Sequence, residues 1–147
     1  MVIIGDFLSS SIEQTGSIAA FLVNNYLVKH TQGSLVIYLI GELGTGKTTF
    51  MRGLLSNLGF NGAVKSPTYT IVEPYTQLTI PIYHFDLYRI EDPKELEFLG
   101  IRDYLGQTSI CCFEWPEKGK EFIPEANYIV KIMMLNDTDR KFLIYNN

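Results

Sequence analysis

The first part of the chain alternates between two hydrophobic patterns. From Ser11 to about Lys29, apolar residues recur at the three- and four-residue spacing of an amphipathic helix. Ser10-Ser11-Ile12-Glu13 has the form of a capping box at its start. Every residue from 35 to 40 is then apolar, a pattern typical of a strand covered on both faces. A buried strand after a helix indicates an α/β fold.

A second helix is predicted directly after this strand, from Thr48 to Leu58. One side of it carries Phe50, Leu54, Leu55 and Leu58. Gly59 follows at the position where a left-handed residue commonly ends a helix. The chain from residue 35 to 59 therefore predicts a strand, a short connection and a helix.

The middle of the chain predicts three strands. After the break at Ser66-Pro67, the residues Thr68 to Tyr75 alternate like a half-exposed strand. Thr79 to Phe85 is predicted as another strand. Because Pro81 cannot donate a ladder hydrogen bond, the first half of this strand is expected at a sheet edge. Ser109 to Phe113 is a short buried strand.

The remaining elements are a short helix and a hairpin. Asp92-Pro93 predicts a helix N-cap followed by proline at the first helical position, and this helix ends before Gly100. Near the C-terminus, Tyr128 to Leu135 and Arg140 to Tyr145 flank the turn sequence Asn136–Asp139. We therefore expect a mixed sheet, with antiparallel strands added to a parallel centre.

Composition predicts one globular domain over residues 1–147. The chain is 46% hydrophobic, which provides enough apolar material for a core. Its net charge is −4, and lysines and arginines are not clustered. A domain that grips nucleic acid through phosphates normally shows a basic face. We therefore expect no stable binding of RNA or DNA by this chain alone.

Localisation signals and cysteine use indicate a cytoplasmic protein without membrane segments. Met1–Asp6 lacks the basic start and long apolar core of a signal peptide, and no apolar run reaches membrane-spanning length. The two cysteines, Cys111 and Cys112, are adjacent, so on a strand they point to opposite faces and cannot readily form a disulfide. They are too few for a metal site, and we expect them to fill the core.

The connection between the predicted strand at residues 35–40 and the helix that follows it carries the main chemical signal. Gly41 to Thr48 matches G-x-x-x-x-G-K-[ST], the phosphate-binding P-loop. Its glycines let backbone N–H groups approach phosphate, and the following helix N-terminus adds positive potential. Lys47 is expected to reach the β- and γ-phosphate oxygens, and the Thr48 hydroxyl to ligate Mg²⁺. The predicted nucleotide-contacting residues of this loop are Gly41, Glu42, Leu43, Gly44, Thr45, Gly46, Lys47, Thr48 and Thr49. We expect a P-loop NTPase-like, three-layer α/β domain.

Two carboxylates at predicted strand ends are candidates for the catalytic and metal chemistry. Glu114 follows four apolar residues, the pattern of an acid that faces the P-loop Mg²⁺. Asp86 ends a similar run that is interrupted by His84. The pattern favours Glu114 as the metal ligand, directly or through water, and leaves Asp86 to support it or to orient the attacking water. His84 is expected to be a hydrogen-bonded structural residue.

Two further features leave alternatives open. The hydroxyl-rich segment Ser66–Thr70 follows the P-loop helix, where it would either sense the γ-phosphate as a switch or form an ordinary turn. Trp115, next to Glu114, would either cover the nucleotide or pack in the core. The guanine-reading sequence Asn-Lys-x-Asp is missing, which favours ATP, and an arginine-rich lid is missing, which argues against a small-molecule kinase.

Several stretches together resemble the TsaE (YjeE) family of bacterial P-loop ATPases. The P-loop occurs in many families, but its combination with the other stretches at these spacings is far more specific. The resemblance runs from Val36 to about Pro124. Its stretches are Gly41–Phe50, Lys65-Ser-Pro-Thr-Tyr-Thr70, His84-Phe-Asp-Leu-Tyr-Arg89, Glu95–Gly100 and Glu114-Trp-Pro-Glu117.

The resemblance implies a specific activity. Proteins of this family bind ATP at the TsaB–TsaD complex, which places the threonylcarbamoyl group on adenosine 37 of tRNA, and their weak hydrolysis supports multiple turnover. Carried onto this chain by motif, Thr68 and Thr70 resemble the switch, and Trp115 resembles a tryptophan beside the nucleotide. Asp86 and Glu114 resemble the two functional acids, and Lys47 binds phosphate. Candidates for adenine contact are Ser11, Thr15 and Arg140. The alternatives are a small-molecule kinase and a non-catalytic, nucleotide-gated binding module.

Overall fold

A seven-stranded sheet with helices on both faces forms the structure, a computed structural model that describes residues 1–147. The strands are β1 (Val2–Ser9), β2 (Ser34–Ile40), β3 (Val72–Tyr75), β4 (Ile82–Asp86), β5 (Ser109–Glu114), β6 (Tyr128–Met134) and β7 (Arg140–Asn146). The α-helices are α1 (Ile12–Asn25), α2 (Lys47–Asn57), α3 (Glu95–Phe98) and α4 (Ile101–Leu105), and short 3₁₀ turns cover Leu27–Lys29, Pro116–Lys118 and Lys120–Phe122. No helix is long and apolar enough to cross a membrane.

The sheet is parallel in its centre and antiparallel towards both edges. Its strand order is β1-β7-β6-β2-β5-β4-β3. The neighbours β6, β2, β5 and β4 run parallel, whereas β7 pairs antiparallel with both β6 and β1, and β3 pairs antiparallel with β4. The predicted fold class, a three-layer α/β domain with a mixed sheet, is confirmed.

Alternation along the central strands builds a core on each face of the sheet. In β2, Leu35, Ile37 and Leu39 join a cluster of 20 buried residues that includes the apolar faces of α1 and α2. Val36 belongs instead to a cluster of 11 buried residues on the other face, which includes Leu96 of α3 and Ile101 of α4. The adjacent cysteines of β5 divide in the same way, and both are buried free thiols.

Helix termini in the first half of the chain follow the capping rules with small corrections. The Ser11 hydroxyl accepts from the Gln14 amide at 3.1 Å, and the Gln14 side chain accepts from the Ser10 amide at 2.6 Å, so Gln14 rather than Glu13 completes the cap. Helix α1 ends at Asn25, and the predicted stretch up to Lys29 is a 3₁₀ turn. Helix α2 ends as predicted before Gly59, whose φ is +100°.

The middle strands are shorter than predicted. Residues 67–70 form a turn, closed by the Ile71 amide donating to the Pro67 carbonyl at 2.8 Å, so β3 includes only the second half of the predicted strand. Strand β4 begins at Ile82 instead of Thr79 and lies between β3 and β5, not at an edge. Pro81, which has no N–H to donate, precedes it, and its carbonyl accepts from the Ile110 amide.

Two elements lie where none was predicted. Strand β1 is mostly exposed, so the alternation of apolar and polar residues along it is weak. It pairs only with β7, at the far end of the sequence. Helix α4 follows Gly100, whose φ of +75° ends α3 where expected and starts a second short helix. The C-terminal hairpin, β6 and β7 around Asn136–Asp139, is confirmed.

Candidate functional site

The P-loop joins the carboxyl end of β2 to the N-terminus of α2. Gly44 and Gly46 have φ of +78° and +103°, a left-handed conformation that side chains disfavour. Gly46 is the N-cap residue of α2 and supplies no side-chain cap. The first N–H groups of α2 therefore lack helical partners and can donate to an anion. Within the loop, Glu42 and Leu43 are exposed and Thr45 is buried. Thr48 and Thr49, in the first turn of α2, are partly buried.

Lys47 is folded back into the loop. Its side chain is only 6% exposed, and its ammonium group donates to the backbone carbonyl of Gly41 and, at 3.5 Å, to that of Glu42. The same nitrogen lies 3.7 Å from Glu114 Oε1 and 5.1 Å from the centre of the Trp115 ring. The charge of Lys47 is thus held where phosphate would bind, with one carboxylate as its counter-ion.

The two predicted acids lie side by side at the carboxyl ends of β4 and β5. Asp86 and Glu114 are direct partners in the parallel register, and both are buried. Asp86 Oδ1 accepts from the Tyr88 amide at 2.9 Å, and Oδ2 accepts from the Thr68 hydroxyl at 3.4 Å. Burial raises the pKa of Asp86 above its ordinary value, and the neighbouring Glu114 charge adds to the increase.

His84 lies on β4 two residues before Asp86 and is fully buried. Its Nε2 lies 2.6 Å from Glu114 Oε2, yet neither ring nitrogen has a partner in hydrogen-bond geometry. The expectation of a structural histidine agrees with this burial, and its close polar partner is Glu114, at hydrogen-bond distance but outside hydrogen-bond geometry. Glu114 is the centre of the group, with Lys47 at one carboxylate oxygen and His84 at the other.

The hydroxyl-rich segment enters the site through one residue. Ser66 and Thr68 hydroxyls are 2.8 Å apart, and Thr68 reaches Asp86. Thr70 instead donates to Glu73 at 3.0 Å and is exposed, so the structure does not bring it to the acids. The segment ends at Ile71, whose φ of +70° is a strained conformation for a β-branched residue.

Trp115 combines packing with a position beside the P-loop. Its ring contacts that of Tyr88, with centres 5.0 Å apart, and its buried Nε1 has no hydrogen-bond partner. It lines a cavity of about 610 Å³ together with Gly41–Leu43, Thr45 and the end of β6. Tyr88 was not singled out from the sequence, although it belongs to the His84–Arg89 stretch.

A second, polar cavity of about 200 Å³ lies on the other side of the loop. Ser11, Thr15 and Arg140, the candidates for adenine contact, all line it beside the loop residues Thr45, Gly46 and Thr49. Arg140 Nε donates to the Thr45 carbonyl at 3.1 Å. Residues from α1 and β7 are thus brought next to the P-loop.

The donor set suits a hard cation that is held mainly by nucleotide. No group of three or more His, Cys, Asp or Glu side chains forms a metal site by itself. The Thr48 hydroxyl and the carboxylates of Glu114 and Asp86 are oxygen ligands of the kind Mg²⁺ prefers, with phosphate oxygens and water completing its shell. The arrangement can hold a triphosphate, its counter-ion and a water molecule.

Comparison with known proteins identifies one family. The profile of the family described as threonylcarbamoyl adenosine biosynthesis protein TsaE matches residues 9–142. The tRNA threonylcarbamoyladenosine biosynthesis protein TsaE of Haemophilus influenzae is 55% identical over 108 residues, which are 74% of this chain and 68% of that protein. The protein of the same name from Bacillus subtilis is 39% identical over 72% of this chain and 66% of its own. The crystal structure of Bacillus subtilis YdiB superposes with a TM-score of 0.75 at 26% identity, covering 100% of this chain and 89% of YdiB.

Proposed function

Because the chain belongs to the TsaE family, we propose that it acts in tRNA threonylcarbamoyladenosine biosynthesis as a partner-activated ATPase. In this proposal it binds ATP with Mg²⁺ and hydrolyses it slowly to ADP and phosphate. It works with TsaB and TsaD, the proteins that the family resemblance implies as partners, and supports their multiple turnover. The observation that carries the proposal is the Lys47–Glu114–Asp86 group beneath an uncapped α2 N-terminus.

Nucleotide binding is supported by both sides of the loop. On ATP binding, Lys47 exchanges its contacts with loop carbonyls and Glu114 for contacts with the β- and γ-phosphate oxygens. Its positive charge interacts more strongly with these oxygens. The backbone N–H groups of the first turn of α2 contact the phosphates. The polar cavity lined by Ser11, Thr15 and Arg140 takes the adenosine part. Thr48 and Glu114 are the residues that would hold Mg²⁺, which would neutralise part of the phosphate charge when bound.

Hydrolysis requires water to attack the γ-phosphorus while its bond to the β–γ bridging oxygen breaks. Asp86 and Glu114 are close enough to each other to orient that water between them and the phosphate. Two of the four arginines are engaged elsewhere: Arg89 stacks on Tyr69 at 4.2 Å, and Arg102 pairs with Glu97 on the surface. Arg140 lies beside the P-loop but lines the cavity assigned to the adenosine part. We therefore expect slow hydrolysis until a partner adds further stabilisation of the transferring phosphoryl charge.

Reconstitution tests this proposal. We expect TsaB–TsaD alone to modify tRNA for a single turnover and addition of this chain with ATP and Mg²⁺ to give multiple turnover. We also expect TsaB–TsaD to raise its ATPase rate. Fast hydrolysis that is unchanged by the partners, or no gain in turnover, would sink the proposal.

A nucleotide-gated binding module without a catalytic cycle is a second candidate. One feature favours it: the side chains of Ser66–Thr70 reach the acids only through the 3.4 Å Thr68–Asp86 hydrogen bond. The Asp86 amide also donates to the carbonyl of Ile71, directly after these residues, at 2.8 Å. Residues 66–70 could therefore change position with the nucleotide about an end that stays bound to β4. Glu114→Gln separates the candidates. A gated module should still dock with ATP and release normally, whereas a coupled ATPase should dock and then stall.

A further inference from the structure

The imidazole of His84 is the least explained polar group of the molecule. It is fully buried on the α2 face of β4, and both ring nitrogens lack hydrogen-bond partners. Leaving a buried polar group without a well-aligned hydrogen bond is unfavourable. A chain that only needed volume here would do better with an apolar side chain, so the ring calls for a functional explanation.

The surroundings of the ring point to one neighbour. Across the sheet its register partners are Cys112 on β5 and Glu73 on β3. The Glu73 carboxylate already accepts a hydrogen bond from the Thr70 hydroxyl, and Cys112 is part of the apolar core. The close polar contact of the ring is Nε2 to Glu114 Oε2, at 2.6 Å.

Glu114 has two contacts at different oxygens, and only one of them is expected to persist. Oε1 faces Lys47 at 3.7 Å, and Oε2 faces His84. If Lys47 moves to phosphate, as the proposed function requires, Oε1 of Glu114 exchanges Lys47 for Mg²⁺. A small rotation of the carboxylate then brings the ring N–H into line with Oε2, since the two atoms are already within hydrogen-bond distance.

We propose that His84 is a positioning residue that holds Oε2 of Glu114, so that Oε1 remains directed towards the P-loop. In this role the ring acts on the carboxylate of Glu114 and not on the reacting atoms. It limits the rotation of the carboxylate that acts on them, as partners of metal-bound or catalytic carboxylates do. This inference rests on the proposed role of Glu114, and its tests are chosen to separate the two.

The first test needs no activity. The chain has two histidines, so His30→Asn assigns the ring ¹⁵N signals of His84 in NMR spectra. We expect Glu114→Gln to shift the His84 signals and leave those of His30 in place. Phe85→Leu, which alters the opposite face of the same strand, is the control and should shift the His84 ring signals far less. Unchanged His84 signals in Glu114→Gln would overturn the proposal.

The second test uses steady-state ATPase kinetics. We expect His84→Leu to lower kcat about 10–100-fold with little change in the KM for ATP, and His84→Gln to recover part of the loss because its amide N–H can replace the ring donor. Phe85→Leu serves again as the packing control. A wild-type kcat in His84→Leu, or equal losses in both His84 variants, would contradict positioning. If the wild-type chain hydrolyses no ATP even with TsaB–TsaD, the proposed function fails and the NMR result alone decides this inference.

Discussion

Replacing Gly41 by alanine tests how closely the P-loop backbone must approach its surroundings. A Cβ built at this position lies 2.6 Å from Thr45 Oγ1 and 3.0 Å from the Ile132 carbonyl oxygen. Contacts this short force a movement, and the carbonyl belongs to the centre of β6, which cannot move freely. Moving the Thr45 hydroxyl breaks its 2.9 Å hydrogen bond to the Glu42 carbonyl. We expect a loss of about 1–3 kcal/mol in the free energy of unfolding.

Thermal unfolding followed by circular dichroism measures this loss. For a chain of this size each kcal/mol corresponds to about 2–4 °C in Tm. Gly16→Ala is the matched control, because Gly16 lies inside α1 and its added Cβ would meet nothing within 4 Å. We expect this control to raise the stability by about 0.5–1 kcal/mol, the usual gain of alanine over glycine in a helix.

A double-mutant cycle locates the cause. Thr45→Ala removes the 2.6 Å contact and leaves the 3.0 Å contact with Ile132. We expect Gly41→Ala to destabilise the Thr45→Ala background less than the wild type, with a coupling of about 0.5–3 kcal/mol. A Tm for Gly41→Ala equal to or above that of the wild type, or strictly additive losses in the cycle, would refute this account of the loop.

Three further predictions concern the site. The folded chain keeps a proton on Asp86 at pH values where the unfolded chain has already lost it. The stability contributed by this group therefore falls as pH rises from its ordinary pKa of 3.8 to its raised pKa. Asp86→Asn should flatten that part of the plot of unfolding free energy, measured in urea, against pH; parallel plots for wild type and variant would contradict this. Arg140→Ala should weaken fluorescent-ATP binding by removing the hydrogen bond to Thr45 and one wall of the polar cavity, whereas the exposed Arg102→Ala should bind normally. ATP at about 100 times its Kd should stabilise the chain by about 2.7 kcal/mol in calorimetry, and EDTA should remove most of that gain; full stabilisation in EDTA would argue against metal-assisted binding.

Local signals predicted the centre of the fold well. The apolar run of β2 and the glycine after α2 need no distant residue to be interpreted, and both lie as predicted. Strand β1 was missed because its stability comes from β7, with Val2 opposite Asn146. Such a pairing joins the two ends of the chain, and β1 taken alone shows no clear periodic pattern.

The candidate site was predictable as a set of residue types and less so as geometry. Strand-end position identifies Asp86 and Glu114, and parallel register brings them together. The backbone turn at Ile71, which keeps Thr70 away from the acids, has no comparable sequence signal because a β-branched residue rarely adopts positive φ. His84 was predicted as a hydrogen-bonded structural residue, but its partner Glu114 was not, since that contact depends on side-chain direction on two adjacent strands.

The polar cavity beside the P-loop has a consequence for the order in which the protein becomes functional. Its walls come from Ser11 and Thr15 near one end of the sequence and from Arg140 near the other. During synthesis the P-loop itself emerges from the ribosome about ninety residues before Arg140, at roughly 5–20 residues per second. For the seconds in between, the growing chain contains the P-loop but not the wall of the polar cavity that Arg140 supplies. If this cavity takes the adenosine part, as proposed, tight binding of a complete nucleotide depends on completion of the sheet, and nascent chains would compete little for cellular ATP.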